Sequence, residues 1–166
     1  MNFGTTTSVQ DQYSSYSSLM RFAIFQSEGG PVPNGARITS ATLSLYKYSS
    51  YNMVFAVHRV LQDWSESTAT WNQRTPGLSW STAGANGLGT DIASAPDASA
   101  STDFNPGWIN FDLTSSVQAM SLAPALANYG WRLKGVSGYS SAIKRMYSSE
   151  FTGMPLLRPK LAIVYE

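Results

Sequence analysis

The chain contains no cysteine. This excludes a disulfide framework, a thiolate metal site and a cysteine nucleophile. Histidine is nearly absent too, with His58 standing alone. A multi-histidine metal centre is therefore excluded, and a Ser-His-Asp triad would rest on that one ring. No nucleophile-elbow motif accompanies it. Charge is scarce: 13% of the residues are Asp, Glu, Lys or Arg, about half the usual share. Ser, Thr, Gly, Tyr and Trp take the place of the missing charge. The formal net charge of +1 lacks the basic excess that nucleic-acid binding needs, so no nucleic-acid partner is expected. No apolar run approaches the roughly 20 residues of a membrane helix, and no membrane partner is expected.

The opening residues, MNFGTTTSVQDQY, lack the basic start and apolar stretch of a signal peptide. Three routes fit: a leader already removed, export by another path, or assembly inside a cell with release by lysis. The polar, weakly charged composition points to an extracellular, cell-surface or virion location. At 166 residues the chain is close to one domain's worth and long enough to bury a core without staples. We expect one β-sandwich domain over residues 1–166.

What is present is strand periodicity. In ARITSATLSLYKY (36–48), Ala41, Leu43 and Leu45 point one way, and Thr42, Ser44, Tyr46 and Tyr48 the other. LMRFAIFQ (19–26), MVFAVHRVL (53–61), WINFDLT (108–114), YGWRLKG (129–135), AIKRMYSS (142–149) and LAIVYE (161–166) are the other predicted strands. Turn signals separate them: GGPVPNG (29–35), Pro76-Gly77, Asn105-Pro106-Gly107 and Arg158-Pro159. Many short strands with regular turns indicate a sandwich or barrel. One short helix is predicted, capped by Thr114 or Ser115 and broken by Pro124. Asp112 belongs to the turn that starts it. Residues 81–107 are rich in small side chains and form a long loop, with a short strand expected at GTDIA.

The segment LQDWSESTATWNQRTP (61–76) carries Trp64 and Trp71. Its hydroxyl residues read as loop and capping positions. Large aromatics are mostly buried, so both rings are expected to close the mouth of the sandwich. Asp63 and Glu66 would then bond backbone N–H groups of the turn.

The order of these pieces resembles the DNRLRE-type domain. The matching stretches are NFG (2–4), LMRF (19–22), PNGARITSATLSLY (33–46) and VHRVLQDWSESTATWNQRTP (57–76). LSWSTAG (78–84), INFDLTSSVQAM (109–120), YGWRLKG (129–135) and SSEFTGMPLLRPKLAIVY (148–165) complete it. The W-S-E-x-T-x-T-W-N and S-E…R-P-x-L-x-V-Y elements are its most specific parts. The resemblance implies an all-β, two-sheet antiparallel β-sandwich of jelly-roll type with no catalysis. This family is grouped with carbohydrate-binding modules, some of which bind alginate. Its members also occur in cell-surface and phage proteins. Such domains usually carry a strand before the NFG segment, and its lack here implies an open N-terminal edge. A neighbouring subunit could complete that edge by strand addition.

If the ligand is a polysaccharide, exposed aromatics and cations must hold it. Tyr46 and Tyr48, opposite Leu43 and Leu45, and Tyr51 in the following hairpin are the stacking candidates. TyrSerSerTyr at 13–16 is a weaker one. For an acidic glycan, Arg132, Lys134, Lys144 and Arg145 are the candidates, clustered on neighbouring strands. Arg59 is a further candidate, and Lys47 is expected to snorkel outward from its strand end. Arg21 matches the family and is as readily structural. Asp91, Asp97 and Asp103 could offer oxygens to Ca²⁺, but their spacing matches no EF-hand loop, so no cofactor is expected. A pair of acids such as Glu66 and Glu150 would suit a glycosidase, but both sit in the fold signature. The chain is therefore expected to be a non-catalytic polysaccharide-binding module. The alternative is a structural subunit of a phage particle or filament.

Overall fold

The computed structural model describes residues 2, 4–12, 16–122, 127–138 and 143–166. Strands β1 (Ser8–Asp11), β2 (Ser18–Met20), β3 (Ile38–Lys47) and β4 (Met53–Arg59) come first. A small hairpin, β5 (Gln73–Thr75) and β6 (Leu78–Ser79), follows, then β7 (Ala98–Thr102) and β8 (Gly107–Asp112). Helix α1 (Thr114–Leu122) precedes β9 (Trp131–Gly138), β10 (Lys144–Tyr147) and β11 (Lys160–Tyr165).

Two antiparallel sheets pack face to face. One runs β1-β10-β3-β11, with β8 also paired to β3; the other runs β2-β9-β4-β7. The alternation read from residues 36–48 sets the packing. Ala41, Leu43 and Leu45 are fully buried and meet Phe55 and Val57 of β4 and Trp131 and Leu133 of β9 in one core. Each such large apolar side chain contributes roughly 1.5–3 kcal/mol by leaving water. Among the described residues the fold is an all-β sandwich with one short α-helix, as the sequence indicates.

Local differences have identifiable causes. Residues 19–26 do not form one strand. β2 ends at Met20, and a 3₁₀ turn forms at Gln26–Glu28. The Glu28 carboxylate folds back to accept from the N–H groups of Ile24 and Phe25. Gly30 permits the tight return, because a Cβ there would stand 2.3 Å from the Ile24 carbonyl oxygen. In the 81–107 segment the five-residue strand is Ala98–Thr102, paired to β4, whereas GTDIA makes only isolated bridges. The helix begins at Thr114, and Asp112 Oδ1 accepts from the Thr114 N–H and hydroxyl. The predicted helix extension to Leu126, with its break at Pro124, lies outside the described residues.

Lys47 does not snorkel. It keeps its inward phase at the end of β3 and is 1% exposed. Its ammonium donates to the carbonyls of Ser49, Tyr51 and Asp103 at 3.0, 3.1 and 2.8 Å.

Candidate functional site

The end strands of the two sheets, β1 and β2, lie beside each other. A cleft of about 400 Å³ opens along them. Its apolar wall is Trp64, Trp71, Trp80, Leu19 and Phe22, and its polar lining includes Gln10, Thr70, Glu66 and Arg21.

Each tryptophan is placed by a backbone partner or a glycine. Trp64 Nε1 donates to the Tyr129 carbonyl at 2.7 Å, and Trp80 Nε1 to the Thr70 carbonyl at 3.1 Å. The Arg21 guanidinium lies 5.5 Å from the centroid of the Trp64 ring and is anchored by Asp63 at 3.0 Å. Trp71 is half-buried and packs on Gly84, where a Cβ would stand 2.6 Å from Trp71 Cη2. Gly84 also has a φ of +77°, so the position favours glycine twice over. From the other side, Asn2 Nδ2 donates to the carbonyls of Glu66 and Ala69. The NFG and W-S-E-x-T-x-T-W-N elements therefore hold each other.

The expectation for the two tryptophans is met for Trp64, which is buried, and differs for Trp71, which faces the cleft with part of its surface open. Asp63 bonds the backbone as expected, accepting from Trp64 N–H at 2.9 Å. For Glu66 the backbone carbonyl is the group in use, accepting from Asn2.

The loop that carries Gly84 is organised by Asp91. This buried carboxylate accepts from the N–H groups of Ser81, Thr82 and Gly87 at 2.7, 2.9 and 3.0 Å. Asp97 Oδ2 takes Ser116 Oγ and Trp131 Nε1, and Asp103 takes Asn105 N–H. The three acids considered for calcium are thus bound to separate protein donors and do not converge. Among the described residues no group of three His, Cys, Asp or Glu could hold a metal ion.

The tyrosine candidates lie elsewhere, on the outer face of the β3 sheet. Tyr48 stacks on Tyr147 at 4.6 Å, Tyr46 on Tyr147 at 5.9 Å, and Phe151 on Tyr147 at 3.8 Å. Trp108 meets Tyr46 edge-on at 5.4 Å, and Lys160 Nζ sits 4.3 Å from the Trp108 centroid. Parallel rings at these separations turn their faces to one another. Much of the π-surface that a sugar would stack on is therefore already covered by protein. Tyr51 is exposed beyond this row. Tyr13 falls outside the described residues, and Tyr16 lines the cleft.

The cation candidates divide between two surfaces. Arg145 is exposed, but Arg132 and Lys144 are buried, 2% and 0% exposed, and Lys134 is half-buried. These last three gather around Asp11, which is itself buried and accepts from Gly135 N–H at 2.9 Å. Arg132 leaves the core face as its alternation requires. The segment at Ser17 and the loop at Gly84 then cover it. Burial pushes the Asp11 carboxyl up, against the pull of the Gly135 N–H and the three cations. Burial likewise lowers Arg132, Lys134 and Lys144.

His58 lies on the same covered face. It is buried, and its Nδ1 donates to the Ala93 carbonyl at 2.8 Å. Burial lowers its pKa below 6.5, with the nearby Lys134 and Arg132 adding to the shift and the Ala93 bond opposing it. The fold thus disfavours the imidazolium. Stability from this residue is full above pH 6.5 and is lost as pH falls from there through the folded value. The loss is roughly 1.4 kcal/mol for each pH unit of that window. We expect wild type to lose this increment between pH 7.5 and acid pH and His58→Gln not to. Denaturant midpoints at both pH values check it, and parallel curves for the two proteins would refute it.

The sequence matches no family model and no curated protein. The resemblance to the DNRLRE-type domain therefore rests on the motifs quoted for it.

Proposed function

We propose that the chain is a non-catalytic binding module of the extracellular or virion surface that holds a polysaccharide segment in the tryptophan-walled cleft. The observation that carries this reading is the pairing of Trp71, partly open, with hydroxyl, amide and charged groups around about 400 Å³ of space. Ligand sites of roughly 300–1,000 Å³ are usual for small molecules and short glycan segments. A sugar presents C–H faces that stack on indole and hydroxyls that bond amides and carboxylates. The cleft offers both kinds of contact, whereas the row at Tyr46, Tyr48 and Tyr147 offers mainly ring edges.

Isothermal titration against a panel of neutral and acidic polysaccharides tests this. Trp71→Ala should weaken the glycan that binds by about 2- to 10-fold, a stacking contact of roughly 0.5–1.5 kcal/mol. Circular dichroism should stay unchanged. Equal affinity in Trp71→Ala together with loss in Tyr48→Ala would move the site to the outer sheet face.

A second reading is a structural subunit of a particle or filament. It is favoured by β1, which ends its sheet and also lines the cleft. An extended segment from a neighbour would find both a strand edge and apolar contacts there. Light scattering after size exclusion separates the readings: a monomer that shifts with glycan supports the module, and a defined oligomer indifferent to glycans supports the subunit.

A further inference from the structure

We propose that the covered cation cluster beside the cleft is an oxyanion site, taking a carboxylate, sulfate or phosphate group against Arg132 and Lys134. Arg132 pairs in register with Leu19 of β2 and His58 of β4, on the face of β9 turned away from the core. Its Nε donates to Ser17 Oγ at 2.9 Å and to the Gly84 carbonyl at 3.1 Å. Its Nη1 is buried and has no hydrogen-bond partner among the described residues. A buried guanidinium N–H without an acceptor calls for an explanation, and a bound anion is one.

Charge balance points the same way. Arg132, Lys134 and Lys144 all act on Asp11, the carboxylate they share. His58, in register with Arg132 on this face, is held toward its neutral form. Arg132 and Lys134 therefore have in Asp11 a counter-charge that they share and that Lys144, its register partner in β10, also draws on, and burying a guanidinium with only a shared counter-charge is costly. Lys134 follows Arg132 by two residues in β9, so the two side chains share a face about 7 Å apart at their origins. That span suits one oxyanion bridging a guanidinium and an ammonium. Burial lowers both cations first, and the Arg132 charge lowers Lys134 further, with Asp11 opposing the shift in each. Ser17 and Gly84, which hold Arg132, both line the cleft, so the anion would be reached through that wall.

Such an oxyanion has two sources, a free inorganic ion or the acid group of a saccharide lying in the cleft. The second rests on the cleft reading; the first does not. The experiment is thermal unfolding in sodium chloride and in sodium sulfate at matched ionic strength, with wild type, Lys134→Gln and Arg132→Gln. Sulfate stabilises proteins generally by exclusion, and that part is common to all three. The site predicts an added, saturating rise in Tm in wild type at millimolar sulfate, absent from both variants. The same rise in Lys134→Gln as in wild type would overturn it, and Lys134→Gln alone carries the test if Arg132→Gln does not fold.

Titration with an acidic polysaccharide and its carboxyl-reduced form separates the sources. A tenfold loss in Lys134→Gln for the acidic form alone assigns the oxyanion to the saccharide. Sulfate stabilisation without that loss assigns it to a free ion. Trp71→Ala should weaken both forms. If it weakens neither while the sulfate response persists, the cleft reading fails and the anion site stands.

Discussion

Asp91→Ala is expected to lower stability by roughly 3–5 kcal/mol, since it orphans several bonds to a charged acceptor at once. The carboxylate is 1% exposed, and three backbone N–H groups, of Ser81, Thr82 and Gly87, point at it. With alanine, those donors lose their acceptor, and the Gly87 N–H loses it in a buried place. Relaxation is limited on the Gly87 side, where even a Cβ would stand 2.4 Å from Thr90 Oγ1. Asp91→Asn should fall between, because one oxygen still accepts while its NH₂ must face a donor. The effect reaches the cleft, since the same loop presents Gly84 to Trp71. Urea unfolding should show a lower midpoint at unchanged slope. An Asp91→Ala protein within about 1 kcal/mol of wild type would mean that the loop is not held from this carboxylate.

The strand alternation was legible because burial follows a period of two. Ala41, Leu43 and Leu45 behave as written, and the same parity in β8 buries Ile109 and Phe111 while leaving Trp108 outside. The site was less legible. Parity says which face of a sheet a residue takes, but not whether a loop then covers that face. Arg132 and Lys134 have the solvent phase of their strand, yet the Ser17 segment and the Gly84 loop close over Arg132. Trp80 and Gly84 joined the cleft unforeseen, although both lie in LSWSTAG, a stretch already matched by motif. The stacking of Tyr147 against Tyr48, with Phe151 in turn against Tyr147, depends on β10 lying beside β3, a pairing distant in sequence. Tyr46 and Tyr48 looked free only because that neighbour could not be placed.

Lys47→Met is expected to cost about 2–4 kcal/mol, because it keeps the apolar stem but removes every donor at a crowded carbonyl site. The three protons of the ammonium match three carbonyls, of Ser49, Tyr51 and Asp103, all within 3.1 Å. These come from the turn after β3 and from the connection between β7 and β8, so one side chain ties two loops to one end of the sandwich. The cost is moderated because Tyr51 and Asp103 are themselves exposed, and water can reach part of what the lysine leaves. Lys47→Arg should cost as well, since a planar fork cannot reproduce three converging bonds around one nitrogen. Hydrogen exchange distinguishes a local from a global effect: faster exchange confined to 48–54 and 101–107 in Lys47→Met would place the loss at this end. A Lys47→Met protein with the wild-type midpoint would show that the carbonyls are rehydrated without penalty and that the lysine is buried there only for its stem.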